Sequence, residues 1–197
     1  MHPVQFMAQY AQRRSRLTVF FRLILAIPHL IVASLWGIAA IVVTFIAWFA
    51  ILITGRYPLG MWRFVAEWFA YYQRVMGYTW LLTDVYPPFG NAGSEYPIYV
   101  GLEYPEASSR LKTFFRAVLV IPFLIVAYVL NWVGEIVAFI SWVIIVIMGT
   151  LPGGLFNFIQ MVLRFGARVS AFGLLLTDAW PNFSEPQQQP SGTPAYV

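Results

Sequence analysis

Two long apolar stretches, residues 17–53 and 111–148, dominate the chain, and inside them only Arg22, Lys112, Arg116 and Glu135 carry charge. Roughly 20 apolar residues cross a hydrocarbon core, so each stretch is too long for one upright span. Two foldings compete. In one, each stretch is a hairpin of two short helices, turning near residues 34–37 and 131–135. In the other, an interfacial helix breaks at Pro28 or Pro122 and leads into one long tilted span. The second stretch favours the hairpin. Asn131, Gly134 and Glu135 make a natural turn. A single span would set Glu135 near the membrane centre at a cost of about 2.5 kcal/mol or more. The expectation is therefore a transmembrane helical hairpin over 17–53 and another over 111–148.

Each stretch leads through a Gly/Pro connector, GRYPLG from Gly55 and GTLPGG from Gly149, to a further apolar segment, 59–83 or 155–177. These carry thin polar stripes: Arg63, Glu67 and Arg74 in the first, and Asn157, Gln160, Arg164 and Arg168 in the second. Spacings of three and four put each stripe on one helical face. Trp62, Trp68, Tyr71, Tyr72, Tyr78 and Trp80 add the aromatic side chains that gather at headgroup depth. An amphipathic, aromatic-rich helix at the membrane surface is expected. The rival packs it against the hairpins with Arg74 and Arg168 inward. Ahead of each hairpin, PVQFMAQY from Pro3 and PIYVGLEY from Pro97 alternate with period two and read as strand-like.

The chain is an internal repeat. A shift of 94 residues carries SRLTVFFRLILAIPHLIVA from Ser15 onto SRLKTFFRAVLVIPFLIVA from Ser109, and LLTDVYPPF from Leu81 onto LLTDAWPNF from Leu175. The same shift sets Pro28 on Pro122, Trp48 on Trp142 and Gly55 on Gly149. Repeat one occupies 1–94 and repeat two 95–184. A Pro/Gln/Ser-rich tail, 185–197, is expected to be disordered. The fold class is an all-α integral membrane protein of two tandem repeats.

Composition narrows the class. Hydrophobic residues make up 60% and charged residues 10% of 197, with a mean hydropathy of +0.70. A soluble domain of this size cannot hide that much apolar surface. There is no cysteine, hence no disulfide or thiolate metal site. The net charge of +4 comes from residues flanking the apolar runs. It points to anionic lipid headgroups and membrane orientation rather than nucleic acid. The Arg13, Arg14 and Arg16 cluster places the N-terminus in the cytoplasm, and hairpins crossing an even number of times keep both repeats in the same orientation.

The charges recur at matched positions: Arg16 with Arg110, Arg22 with Arg116, Arg74 with Arg168, and Asp84 with Asp178. For Arg22 and Arg116, one reading has the side chains snorkel to the headgroups. The other pairs them with Asp84 and Asp178. Arg74 and Arg168 either grip a lipid phosphate or sit on a solvated helix face. His29 is a lone histidine without a matched copy, because Phe123 takes its place, and reads as structural. No nucleophilic triad, zinc motif, phosphate loop or dinucleotide fingerprint is present. No enzyme activity and no cofactor are expected.

The SRLTVFFRLILAIPH run, the WFAILITGRYP connector and the LLTDVYPPF ending resemble a bacterial membrane family, common in actinobacteria, catalogued only as a domain of unknown function. The resemblance covers nearly all of both repeats. It implies a two-copy protein of the bacterial inner membrane and supplies no site residues. The expected role is a non-catalytic accessory, scaffold or lipid-interacting component, working with a membrane-protein partner or a second copy. The alternative is a small oligomeric transporter or channel with a path at the repeat interface.

Overall fold

A computed structural model describes residues 2–90 and 96–185. The order of elements is β1 (Val4–Ala8), α1 (Arg16–Phe20), α2 (Arg22–Thr54), α3 (Leu59–Thr79), β2 (Ile98–Leu102), α4 (Arg110–Leu119), α5 (Ile121–Met148) and α6 (Gly153–Gly173). Most of the expected tail lies outside the described residues.

Neither hairpin forms. Residues 34–37 and 131–135 lie inside continuous helices of 33 and 28 residues. The glycines expected to turn the chain instead let another helix approach. A Cβ on Gly37 would stand 3.1 Å from the Trp68 ring, and one on Gly134 would stand 2.6 Å from the Trp80 ring. Asn131 donates to Glu135 one turn later at 3.1 Å, a pairing that supports a helix rather than a turn. The breaks fall earlier, at Phe21 and Val120. Pro122 occupies the first turn of α5, where its missing N–H costs nothing. Glu135, expected at an exposed turn, is exposed at the midpoint of α5.

Helices α2 and α5 are each long and apolar enough to cross a membrane. At 1.5 Å per residue α2 spans about 50 Å. Its buried stripe is narrow and built mostly from small residues, including Ala26, Ala33, Gly37, Ala40 and Ala47. Ile24, Ile31, Leu35, Ile38, Ile41 and Phe45 on the remaining faces stay exposed.

Segments α3 and α6 are not surface helices. They pack against α2 and α5 respectively and touch each other, and Trp62 Nε1 of α3 donates to Leu176 O in the turn after α6 at 3.3 Å. Only Arg63, Glu67 and Asn157 of the polar stripes are exposed, while Arg74, Arg164 and Arg168 are buried. The cause is the strand pair. β1 and β2 run antiparallel, Val4 opposite Leu102 and Ala8 opposite Ile98. β1 lies on α6, where Ala8 N–H donates to Gln160 Oε1 at 3.0 Å. β2 lies on α3, where Ile98 fills the space a side chain on Gly77 would need. The two-stranded sheet, one strand from each repeat, thus covers part of the faces the stripes were expected to give to solvent, with Gln160 and Arg168 bonded to β1.

The repeats interlock head to tail. Arg14 N–H donates to Gly149 O and Ser108 N–H to Gly55 O, both at 2.9 Å. Trp142 Nε1 donates to Val19 O, and Trp48 Nε1 to Thr113 O. Each repeat therefore enters beside the other repeat's connector. The same-orientation arrangement expected from hairpins fails, because an unbroken helix now separates each entry from its own connector.

Candidate functional site

Both repeats end their second helix in the same turn. In repeat one, Leu82 N–H reaches Gly77 O at 2.9 Å and Leu81 N–H reaches Tyr78 O at 3.1 Å. This is a Schellman closure, and it sets Leu81 and its match Leu175 at positive φ, 68° and 64°. Glycine would adopt this conformation freely. Leucine stands there because both side chains are buried in the core. The turn then aims Thr83 and Thr177 at the backbone N–H two residues on, and it presents Asp84 and Asp178 to the entry of their own repeat.

Each aspartate meets a complete set of donors. Asp84 Oδ2 accepts from Ser15 N–H at 2.7 Å, and Oδ1 accepts from Arg22 Nη2. Arg22 Nη1 donates to Tyr78 O at 2.9 Å, and the guanidinium lies 4.7 Å from the Tyr78 ring centre. Asp178 Oδ2 accepts from Ser109 N–H at 2.6 Å, and Oδ1 from Arg116 Nη2. Arg116 Nη1 donates to Thr177 O at 3.0 Å, with the guanidinium 4.1 Å over Phe172. The arginine side chains are 2% and 5% exposed and both carboxylates 23%, so the pairs are sealed on the cationic side. Ser15 and Ser109 are at the same time the N-caps of α1 and α4. Each cluster ties the last turn of a repeat to its first.

The third cation differs. Arg14 Nη2 bonds Leu82 O at 2.9 Å in the first cluster, and burial pushes its pKa down. Lys112 Nζ bonds Asp178 O at 3.2 Å in the second and lies over Trp180. With α6 carrying the chain about 30 Å between them at 1.5 Å per residue, the clusters sit at opposite ends of the molecule.

The other matched charges act elsewhere. Arg74 Nη2 donates to Gly90 O at 2.6 Å. Arg168 Nη1 donates to Asn182 O and Ser184 O, each at 2.8 Å. Gly90 and Ser184 are themselves matched positions, so each arginine straps down the segment that follows its repeat. Neither faces solvent as the surface-helix reading expected; burial pushes Arg168 down to about 10, with Arg164 adding to the effect. Arg16 and Arg110 are exposed and lie against Gly149 and Gly55. These left-handed glycines cap the C-terminal ends of α5 and α2. A cation there complements the helix dipole of the opposite repeat.

Residues 16–90 and 110–185 match the family described as Domain of unknown function (DUF4389). The chain belongs to this family. The two DUF4389 matches begin at Arg16 and Arg110 and end at Gly90 and one residue past Ser184, so each contains one arginine–aspartate pair and its strap; β1 and β2 lie outside them. No curated protein and no solved structure matches the chain.

In the first DUF4389 unit, His29, expected to be structural, sits in an aromatic box that the sequence did not point to. His29 is buried, with Nδ1 2.7 Å from the Tyr71 hydroxyl, and its ring stacks on Phe89 with centres 4.1 Å apart beside Tyr86 at 4.6 Å. The matched positions in the second unit are Phe123, Phe165, Phe183 and Trp180. The signal that could have found it lies at two matched positions, where His29 and Tyr71 stand against Phe123 and Phe165. Among the described residues, no group of three or more His, Cys, Asp or Glu is placed to hold a metal ion.

Proposed function

We propose that the chain is an integral membrane protein of the bacterial inner membrane acting as a non-catalytic scaffold or accessory. The observation that carries this reading is the surface of α2 and α5. Their exposed faces are lined by large apolar side chains over nearly their whole lengths, and both are long and apolar enough to cross a membrane. A contiguous apolar surface of that extent marks a lipid or protein interface. Since α2 is longer than the roughly 30 Å core, it tilts or runs into the interface. Exposed Arg13, Arg16, Arg56, Arg63 and Arg110 sit at or near helix ends, where anionic headgroups attract them.

The matched charges favour a scaffold over a transporter. Arg22, Arg116, Asp84 and Asp178 would line a path between the repeats in the transport reading. They are instead taken up in two closed pairs at opposite ends.

Single cysteines in the cysteine-free chain test the membrane placement. Ile41→Cys should resist an impermeant maleimide in intact and in opened membrane preparations, while Arg63→Cys reacts in at least one. Equal labelling of both overturns the placement. For the role, crosslinking in native membranes should capture a defined partner or a second copy. Substrate-specific flux through liposomes containing only this chain overturns the scaffold reading.

A further inference from the structure

The repeats differ sharply along the seam between their two long helices. In repeat one the chain fills this seam itself. The Trp68 indole packs on Gly37, donates Nε1–H to Ala33 O at 2.8 Å, and stacks on Tyr72 with centres 5.6 Å apart. In repeat two the matched positions are Val162 and Gly166. The plug is missing, and an open groove of about 540 Å³ remains, walled by Ile125, Tyr128 and Asn131 of α5 and by Val162, Gly166 and Ser170 of α6.

Beside this groove stands a ridge suited to fill it. Tyr128 and Trp132 are 65% and 57% exposed, with ring centres 6.4 Å apart. Asn131 and Glu135 form an exposed hydrogen-bonded pair at the centre of the same face. The matched residues of α2 are Ser34, Ile38, Gly37 and Ile41, so the corresponding face of repeat one offers lipid no charge.

We propose that this face of repeat two binds a second copy of the chain. In the twofold dimer, Trp132 of each copy enters the α5–α6 groove of the other, and the two Asn131–Glu135 pairs meet. Three observations argue for this occupant. The groove opens where Val162 and Gly166 take the places of Trp68 and Tyr72, so it has room for an aromatic side chain from outside. Knob and hole lie side by side on one face, as an isologous contact requires. A carboxylate and an amide exposed on an apolar helix are costly against lipid, whereas in the twofold contact the Asn131 amide of each copy is a donor for the Glu135 carboxylate of the other. The inference rests on the membrane placement of α5.

The test uses Ile136→Cys, next to Glu135, and its match Val42→Cys in α2; the native residues are 56% and 53% exposed. With a short bismaleimide in native membranes, Ile136→Cys should give at least fivefold more crosslinked dimer than Val42→Cys. Adding Val162→Trp with Gly166→Tyr, which fills the groove with the aromatics that repeat one carries at the matched positions, should cut that yield at least fivefold, and so should Trp132→Ala alone. Equal crosslinking at the two sites overturns the proposal. So does a yield unchanged by both the plug and Trp132→Ala, the result expected if lipid or another protein occupies the groove. Failure of the membrane placement reads differently, as full reaction of both cysteines with an impermeant maleimide in both membrane preparations.

Discussion

Repeat one and repeat two share a charged frame and differ in what they enclose. Both close Ser, Arg and Asp into the same three-way contact, and both strap the following segment to a buried arginine. Around that frame, repeat one builds a polar aromatic box on His29 and plugs its helix seam with Trp68. Repeat two replaces the box by stacked apolar rings, with Phe165 and Phe183 centred 4.2 Å apart, and leaves its seam open. The difference teaches that the frame is architecture and the enclosed surfaces are where the copies specialise. Geometry explains why. The ion pairs join a repeat's end to its own entry in both copies, whereas the box and the seam differ between copies that keep the same helices.

The largest effect should come from breaking the frame. Asp84→Asn and Asp178→Asn each leave a buried arginine without its counter-charge. Losing one partner of a buried pair costs about 3–5 kcal/mol; with both carboxylates 23% exposed, about 2–3 kcal/mol is expected here. Thermal denaturation in detergent should show similar losses for the two variants. Markedly unequal losses would break the idea of a shared frame. Coupling between Arg22→Met and Asp84→Asn in a double-mutant cycle sharpens it, because additive losses mean the pair contributes nothing.

Next in size is the box. His29→Phe gives repeat one the residue of repeat two but strands the buried Tyr71 hydroxyl, at a cost of about 1–3 kcal/mol. Adding Tyr71→Phe should recover most of that loss. If the double variant is no better than the single, the histidine matters for something beyond its hydrogen bond.

The seam glycines come third. Gly134→Ala puts a methyl group 2.6 Å from the Trp80 ring, against 3.1 Å from Trp68 for Gly37→Ala. Overpacking costs about 1–3 kcal/mol, offset by up to about 1 kcal/mol of helix propensity. Gly134→Ala should therefore melt lower than Gly37→Ala.

The smallest effect concerns His2, whose match in repeat two is Tyr96. Burial, with Arg168 nearby, holds the His2 pKa below 6.5. Protonation therefore favours the unfolded chain. Its contribution is complete above pH 6.5 and is lost as the pH falls from 6.5 through the depressed folded value. His2→Gln should flatten the melting temperature over that interval by a degree or two, within the few degrees that about 1 kcal/mol moves a domain of this size.

Much of this architecture was legible. The 94-residue shift exposed the repeat, and two segments of period-two alternation became β1 and β2. The matched Arg and Asp positions marked the residues that the fold brings together, because a charge repeated inside an apolar run needs a repeated partner. The hairpins failed for a local reason. Asn131, Gly134 and Glu135 have turn composition, yet a glycine inside a helix also serves where another helix must come close, and composition does not distinguish the two uses. The surface helices failed for a tertiary reason, since the sheet formed by the two distant strands and the segments strapped by Arg74 and Arg168 cover part of the face that periodicity assigned to solvent.

By itself, the sequence determined the mostly helical class, the duplication, the extent of the two apolar stretches and the matched positions of the charges. Those follow from composition and spacing, which act on each segment separately. Only the tertiary structure decided that the repeats interlock head to tail, that Arg16 and Arg110 cap the other repeat's long helix, and that one seam is plugged while the other is open. Those depend on which surfaces meet, and surfaces far apart in the chain leave no local pattern to read.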